Sequence, residues 1–207
     1  MLIIGKNSKV YSLIKDHISF HISCSHKDDI RALIQDNSIK KVLVLSNSPI
    51  LDENIQLLKQ LYMSNVEVCY MSTSAAKYNS CQKYSYPRNK RIAEQVLHQY
   101  FDKFLVLRCG LIESLHDYSK IHGKVPVTPI NDICDAIMKF DSEDLYGTLD
   151  LFSFVNITSS KLNLFFYNCY HLINRLPFFI SRPCDFILRL MGYHNYGYLF
   201  RQNNEDL

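Results

Sequence analysis

Short runs rich in Leu, Ile and Val alternate along the chain with segments whose apolar residues recur every three or four positions. The runs predict strands at residues 2–5, 18–23, 41–45, 66–70 and 104–107. The periodic segments predict helices at residues 10–17, 28–35, 51–63 and 87–100. Strands without polar alternation, each followed by one helix, are typical of a parallel sheet covered on both faces. The sequence therefore predicts an α/β fold with a doubly wound parallel sheet.

The chain changes character from about residue 151 onward, where Phe, Tyr and Arg become frequent. We expect residues 1–150 to form the α/β domain and residues 151–207 to form a small, mostly helical cap that is not an independent domain. The aromatic residues of the cap either complete the core, with arginines reaching solvent, or form a basic surface for a sugar-nucleotide diphosphate or an anionic membrane. Both interpretations fit the sequence.

Composition excludes several classes of protein. The 207 residues carry 23 Lys and Arg against 20 Asp and Glu, a net charge of +3, so the clustered basic pattern of nucleic-acid-binding proteins is missing and we expect no nucleic-acid partner. The seven Cys are widely spaced and the His are scattered, which predicts reduced thiols and no metal site. With neither a signal-peptide pattern nor an apolar run of membrane-spanning length, the sequence predicts a cytoplasmic protein.

Ligands of doubly wound folds bind at the carboxyl ends of the strands. The residues that follow the predicted strands are therefore candidates for binding: Gly5, Asn7 and Ser8 after the first, His26 and Lys27 after the second, Ser46 and Asn47 after the third, Thr73 and Ser74 after the fourth, and Arg108 after the fifth.

One pair of segments has the spacing of a known catalytic signature. Ser72-Thr73-Ser74, at the end of a predicted strand, precedes Tyr86-Pro-Arg-Asn-Lys90, at the head of a predicted helix, by 12 to 14 residues. This arrangement resembles the Ser…Tyr-x-x-x-Lys signature of the short-chain dehydrogenases/reductases. Residues 107–111 and 127–137 are similar to segments of the extended branch, the epimerases, dehydratases and reductases of sugar nucleotides. The resemblance covers roughly residues 1–137 and implies a Rossmann-like dinucleotide-binding domain over residues 1–150.

The resemblance implies a role for each candidate residue. Tyr86 would exchange a proton with a substrate hydroxyl or carbonyl, and Lys90, one helical turn away, would stabilise its phenolate and reach the nicotinamide ribose. Ser74 would hold the reacting oxygen, with Thr73 as the alternative hydroxyl. Thr73 and Arg108 are expected substrate contacts. The remaining candidates are expected to bind NADP or NAD: Gly5, Asn7, Ser8, His26, Lys27, Ser46 and Asn47.

The chain departs from the family pattern in the phosphate-binding loop. Members carry G-x-x-G-x-x-G after the first strand, whereas this chain keeps Gly5 and has Ser8 and Tyr11 at the other two positions. The small Ser8 can still donate to a phosphate, but Tyr11 must either hold the helix away from the sheet or turn outward.

The adenine side of the predicted site departs from the pattern as well. The connection before Lys41 is short, which indicates that the usual third strand and its helix are cut short. His26 and Lys27 stand where an acidic residue would bind the ribose of NAD, and this favours NADP. Asp28 and Asp29, which follow, are predicted to start a helix, and Asn54 is predicted to be a solvated helix residue.

Two functions from different classes fit these observations. The first is an NAD(P)-dependent oxidoreductase or epimerase that acts on a nucleotide-activated or glycan-pathway sugar; Ala75 and Ala76 replace the acidic pair that dehydratases use, which disfavours dehydration. The second is a non-catalytic Rossmann-like protein that serves as a partner or regulator in surface-polysaccharide synthesis. The resemblance also implies a homodimer through the helix 87–100.

Overall fold

A six-stranded sheet, parallel throughout, forms the centre of the computed structural model, which describes residues 1–18, 21–78, 84–115, 118, 121–158, 160–173 and 176–190. Its elements in chain order are β1 (Leu2–Ile4), α1 (Lys9–Ile14), β2 (Ile22–Cys24), α2 (Ile30–Asp36), β3 (Lys41–Val44), α3 (Leu51–Met63), β4 (Glu67–Thr73), α4 (Ser85–Tyr100), β5 (Phe104–Cys109), β6 (Leu111–Ile112), β7 (Gly123–Thr128), α5 (Ile130–Glu143), β8 (Gly147–Asp150), β9 (Ser153–Ile157), α6 (Lys161–Ile173) and α7 (Phe178–Leu190). A short 3₁₀ turn, Ser74–Ala76, follows β4.

The strand order of the main sheet is β2-β1-β3-β4-β5-β8. The chain moves from β1 to β2 in one direction and then crosses back to β3 on the other side of β1, so the order reverses between β1 and β3. In open α/β sheets this reversal opens a crevice at the carboxyl ends of the strands. The predicted doubly wound fold is confirmed.

Alternate residues of each strand enter two separate parts of the core. Ile4, Val44 and Tyr70 pack on one face of the sheet with residues of α3 and α4, among them Leu58 and Leu97. Their neighbours along the strands, including Ile3, Leu43 and Met71, pack on the other face with α1 and α5. Because both faces are covered, the strands have no polar side, and this explains their unbroken apolar runs.

The chain divides into two compact units. The first contains Met1–Leu115 and Thr128–Phe152 and holds the six-stranded sheet. The second contains His116–Val127 and Ser153–Leu207; in it β7 pairs antiparallel with β9, and α6 packs against α7. Residues 151–207 therefore contain the strand β9 as well as the helices predicted for them. No described helix is long and apolar enough to cross a membrane.

The second strand and the connection after it differ from the usual pattern of the fold. The strand occupies only Ile22–Cys24, whereas the prediction began it at residue 18. Residues 25–40, all of them described, contain α2 and no strand, so β2 is the edge of the sheet. The prediction that the third strand is cut short is confirmed.

Candidate functional site

The loop after β1 passes very close to the loop after β3. Gly5 has a φ of +118°, and a Cβ at this position would lie 2.8 Å from the backbone nitrogen of Ser46. The backbone N–H groups of Gly5 and Lys6 both donate to the carbonyl of Cys24, at 2.8 and 3.1 Å. A residue without a side chain is therefore required where β1, β2 and β3 meet.

Ser8 and Tyr11 have local partners in the structure. The Ser8 hydroxyl caps α1 by accepting from the Tyr11 backbone N–H at 3.0 Å, and it keeps a proton to donate. The Tyr11 ring packs edge-on against His21, with centroids 5.8 Å apart, and its hydroxyl lies 3.1 Å from His21 Nε2. Asn7 is exposed in the same loop. The helix that follows has only six residues.

A cleft of about 270 Å³ lies at the carboxyl ends of β2 and β3. Three of the predicted cofactor-binding residues line it together with part of α3; the full lining is His26, Lys27, Ser46, Ser48, Glu53, Asn54, Gln56, Leu57 and Gln60. The structure therefore brings His26 and Lys27, which follow β2, together with Ser46, which follows β3.

The two acidic residues after Lys27 stabilise the local backbone. Asp28 accepts from the Ser25 N–H at 2.8 Å and from Lys6 Nζ at 3.4 Å, and the first of these bonds does most to lower the pKa of Asp28. Asp29 caps α2 by accepting from the Ala32 N–H at 3.0 Å. Asp29 is the helix cap that the sequence predicts, whereas Asp28 closes the turn before it.

The loop between β3 and α3 is held from within by Asn54, which the sequence analysis placed wrongly in solvent. Asn54 is buried, accepts from the Ser48 N–H at 2.8 Å and donates to the carbonyls of Ser48 and Ile50 at 2.8 and 3.2 Å. Its position on the apolar stripe of α3, with Leu57, Leu58 and Leu61, is the sequence signal that indicated burial.

Asn47 lies in the same loop. It donates to the Ser48 carbonyl at 3.1 Å, while its buried Oδ1 has no hydrogen-bond partner in the described part of the chain. Buried polar atoms are normally satisfied, so this oxygen is a candidate to accept from a ligand.

The predicted catalytic residues are grouped around α4. Ser74 is buried in the 3₁₀ turn after β4, which packs against α4, and Thr73 caps that turn by accepting from the Ala75 N–H at 3.4 Å. Tyr86 is the second residue of α4 and is 52% exposed. Lys90, one turn later, places its Nζ 5.9 Å from the centre of the Tyr86 ring.

Lys90 is the most deeply buried cation of this group, with 2% of its surface exposed. Its Nζ donates to the Met71 carbonyl at 2.6 Å and lies 4.4 Å above the Tyr70 ring. Burial lowers the pKa of Lys90 to about 7 and raises that of Tyr70, whose hydroxyl has no hydrogen-bond partner among the described residues.

A buried ion pair beside this group escaped the sequence analysis. Glu94, one turn after Lys90, accepts from the Ser72 hydroxyl at 2.5 Å and from Arg108 through Nη2 at 2.7 Å and Nε at 3.1 Å. The Arg108 guanidinium also lies 3.6 Å from Asp150. Glu94 stands between Ala93 and Leu97 on the apolar face of α4, and this placement is the signal in the sequence.

Arg108, predicted to contact substrate, lines a second cleft of about 170 Å³ on the α4 side of the sheet. The cleft is lined by Ala76, Lys77, Arg91, Glu94, Gln95, His98 and Arg108. The Arg108 guanidinium directs two of its five N–H groups, one on Nε and one on Nη2, at Glu94.

The residues at the carboxyl ends of β1 to β3 fit a dinucleotide in two respects. The glycine cradle at Gly5 leaves backbone exposed where a Cβ would fill the space, and the cleft of His26, Lys27 and Ser46 offers polar groups and a cation. The six-residue α1 offers only a short helix dipole, so its contribution to holding a pyrophosphate is small.

No protein-family model matches the chain, and no curated protein matches its sequence. Solved structures do match. The UDP-glucose 4-epimerase of Thermus thermophilus, a complex with NAD, is 13% identical over 75% of this chain and 78% of that chain, with a TM-score of 0.60. The dTDP-4-dehydrorhamnose reductase of Clostridium acetobutylicum is 13% identical over 92% and 80%, with a TM-score of 0.61. That of Bacillus anthracis, a complex with NADP, is 13% identical over 76% and 74%, with a TM-score of 0.59.

These likenesses confirm the Rossmann-like fold, which the chain shares with an epimerase and with reductases of sugar nucleotides. At this identity they show the fold alone, because related sites on one fold carry out different reactions.

Proposed function

We propose that the chain binds a nicotinamide dinucleotide and oxidises, reduces or epimerises a nucleotide-activated or glycan-pathway sugar. The observation that carries the proposal is the placement of Lys90 Nζ 5.9 Å from the Tyr86 ring, on the same helix that packs against the turn of Ser74. A tyrosine and a lysine one helical turn apart form an acid–base pair, because a lysine cation stabilises the phenolate.

In this proposal the cofactor lies along the carboxyl ends of the strands and supplies the hydride acceptor or donor. Gly5, Asn7 and Ser8 hold its pyrophosphate. Ser46 lies with His26 and Lys27 at the adenosine end, and Asn47 and Lys90 hold the nicotinamide and its ribose. His26 and Lys27 line the adenosine end, where a cation pairs with the additional phosphate of NADP, so we expect NADP to bind more tightly than NAD.

The protein's own part in the reaction is proton transfer. Tyr86 gives a proton to, or takes one from, the substrate oxygen, and the Ser74 hydroxyl, or that of Thr73, holds this oxygen by a hydrogen bond. Lys90 in its charged form favours the Tyr86 phenolate. Arg108 contacts substrate in this proposal through guanidinium N–H groups that do not pair with Glu94.

Cofactor titration is the first test. We expect micromolar binding of NADPH in calorimetry, weaker binding of NADH, and loss of the difference between the two in Lys27→Gln. Lys139→Gln, an exposed substitution on α5, is the matched control and should bind both as the wild type does. Equal affinities for NADPH and NADH in the wild type would contradict the role of His26 and Lys27.

The catalytic assignment has its own test. Tyr86→Phe should lower turnover of a nucleotide-sugar panel by about 100-fold or more while cofactor affinity stays unchanged, because only the transferred proton is lost. Tyr100→Phe, at the other end of α4, should keep full turnover. Retained turnover in Tyr86→Phe would overturn the mechanism.

One set of observations favours the second function, a non-catalytic partner or regulator in surface-polysaccharide synthesis. The six-residue α1 offers only a short helix dipole to a pyrophosphate. The Tyr11 N–H already donates to the Ser8 hydroxyl, and the Lys6 amine already pairs with Asp28. Absence of binding up to millimolar NADPH and NADH would favour this function over the first.

We also propose a cytoplasmic location and a homodimer formed through α4. The buried thiols of Cys24, Cys69, Cys109 and Cys134, none of them in a disulfide, fit a reducing compartment.

A further inference from the structure

The two C-terminal helices carry most of the large apolar side chains that the described chain exposes to solvent. On α7, Phe179 is 76% exposed and Phe186 is 62% exposed, and on α6, Phe165 is exposed as well. Soluble domains rarely leave several large apolar side chains together at the surface without a partner. These rings lie at the surface rather than completing a core.

The exposed residues of α7 form one continuous stripe. Phe179, Pro183, Phe186 and Leu190 are spaced by four, three and four residues, which places them on one face of the helix. The buried residues Ser181 and Leu188 are seven apart and lie on the opposite face. The apolar side of α7 therefore faces outward.

The second helix repeats this arrangement. Leu162, Phe165 and Leu172 of α6 are exposed and are spaced by three and seven residues, again on one face, while Asn163 is buried. The two helices pack against each other within the second compact unit. We call their exposed apolar residues the apolar face, defined by Leu162, Leu164, Phe165, Leu172, Phe179, Ile180, Phe186, Ile187 and Leu190.

Charge indicates what covers the apolar face. Residues 161–190 contain four basic residues, Lys161, Arg175, Arg182 and Arg189, against the single acidic Asp185. Their net charge of +3 equals that of the whole chain, so the remaining residues sum to zero. Apolar helical faces with phenylalanine and leucine next to arginines are typical of helices that lie in the plane of an anionic membrane surface.

The same charge disfavours a second copy of this chain as the partner. A symmetric pairing through the apolar face would bring two segments of net charge +3 together, and like charges across an interface oppose association. A spanning segment is also excluded for these helices, because each has 13 residues.

We propose that the apolar face of α6 and α7 binds the surface of an anionic lipid bilayer, with its phenylalanines and leucines inserted below the headgroups and the net charge of +3 of residues 161–190 attracted to the lipid phosphates. The protein thereby binds peripherally. This inference does not depend on the cofactor or on the catalytic residues.

Vesicle flotation with the full-length chain tests the proposal. We expect the wild type to float with vesicles of phosphatidylcholine containing about 30% phosphatidylglycerol and to bind pure phosphatidylcholine at least about 10-fold more weakly, because the basic residues need anionic lipid. The double variant Phe179→Gln/Phe186→Gln should bind the anionic vesicles at least about 10-fold more weakly than the wild type, since two inserted rings are lost.

The matched control removes two exposed apolar side chains from the first unit. Met63→Gln/Met138→Gln should float as the wild type does, because these residues lie on α3 and α5. An unchanged thermal midpoint shows that each variant is folded.

Three results would overturn the proposal. The first is a wild type that does not float with anionic vesicles. The second is equal flotation of wild type and Phe179→Gln/Phe186→Gln. The third is a wild type that self-associates in light scattering and becomes monomeric in that variant without binding vesicles, which would assign the apolar face to a second copy. Cofactor titration of the same samples reports separately on the proposed function.

Discussion

Gly5 illustrates how one backbone position determines whether the strand ends can converge. Its φ of +118° disfavours any side chain, and a Cβ would also approach the Ser46 nitrogen to 2.8 Å. The first glycine of the loop is thus needed for folding. Ser8 and Tyr11, at the other two positions of the pattern, have side chains with partners of their own, because Ser8 caps α1 and Tyr11, within α1, turns toward His21.

A pair of glycine substitutions separates the cost of the positive φ from the cost of the close backbone approach. Gly147 also has a positive φ, of +106°, but a Cβ there would meet nothing within 4 Å. We expect Gly147→Ala to lower the free energy of unfolding by about 1–2 kcal/mol. Gly5→Ala should lower it by about 3–4 kcal/mol, because its Cβ also clashes with the Ser46 backbone. Urea unfolding of both variants measures the difference. Equal losses would show that the close approach of the two loops costs nothing.

Lys90 gives the protein a pH dependence whose sign can be worked out. Its pKa is about 7 in the folded protein, whereas a lysine side chain in water has a pKa of 10.5, so between these values the unfolded chain binds the extra proton. Stability therefore rises as pH increases above 7, and below 7 the cost of burying the charge is constant.

Unfolding free energies between pH 7 and about 8.5 test this dependence, and the comparison with a Lys90 variant removes the contribution of the thiols, which titrate in both proteins. The wild type should gain up to about 1.4 kcal/mol per pH unit relative to Lys90→Met, in which the titrating amine is gone. Lys139→Met, an exposed substitution, should keep the wild-type slope. Parallel curves for wild type and Lys90→Met would mean that the Lys90 amine is solvated.

At the level of secondary-structure elements, Glu94 joins three of them. It lies on α4, accepts from Ser72 on β4 and pairs with Arg108 on β5. A carboxylate buried to this extent needs partners for each oxygen, and the two strands supply them. The helix that carries Tyr86 and Lys90 is therefore fixed in position relative to the strands by a polar contact as well as by Ala93 and Leu97.

Removing the charge of Glu94 should lower the stability of the protein. We expect Glu94→Gln to lower the free energy of unfolding by about 2–4 kcal/mol, because the buried side of Arg108 loses its counterion. The double variant Glu94→Gln/Arg108→Met should lose less than the sum of its single variants, since the two residues share one contact. Asp150→Asn, in the more exposed pair with Lys77, should cost about 1 kcal/mol or less. Additive losses in the double variant would show that Glu94 and Arg108 do not interact.

Local patterns predicted the elements well and the contacts between them poorly. The apolar runs located β1, β3 and β5, and the periodicity of α3 gave its bounds, because these signals depend on neighbouring residues alone. The prediction ended the fourth strand at residue 70, whereas β4 continues to Thr73, since polar Ser72 finds its partner on α4. The apolar stripes of α3 and α4 indicate the burial of Asn54 and Glu94, whereas the pairing of Glu94 with Arg108 is a tertiary contact that no local pattern records.

For the molecule as a whole, the distribution of exposed apolar residues distinguishes two surfaces. One is the apolar face of α6 and α7, within the segment 161–190, whose net charge of +3 equals that of the chain. The other lies on the first unit, where Tyr62 and Met63 at the end of α3 and Tyr100 at the end of α4 are exposed. The Tyr62 ring contacts Tyr100 at 6.0 Å and Phe101 at 5.7 Å between centroids, so these residues form an aromatic surface across two packed helices.

The proposed homodimer through α4 can use this aromatic surface. A two-fold pairing would bury the tyrosines of both copies in a four-helix contact, and large aromatic side chains contribute most of the energy of such interfaces. We expect Tyr62→Arg/Tyr100→Arg to weaken dimerisation by about 100-fold or more in analytical ultracentrifugation, because it replaces two anchors by charges that face their like. Phe179→Gln/Phe186→Gln should leave dimerisation unchanged, and the tyrosine variant should still bind anionic vesicles. A wild type that stays monomeric at every concentration, or a tyrosine variant that dimerises as the wild type does, would rule out this surface as the dimer contact.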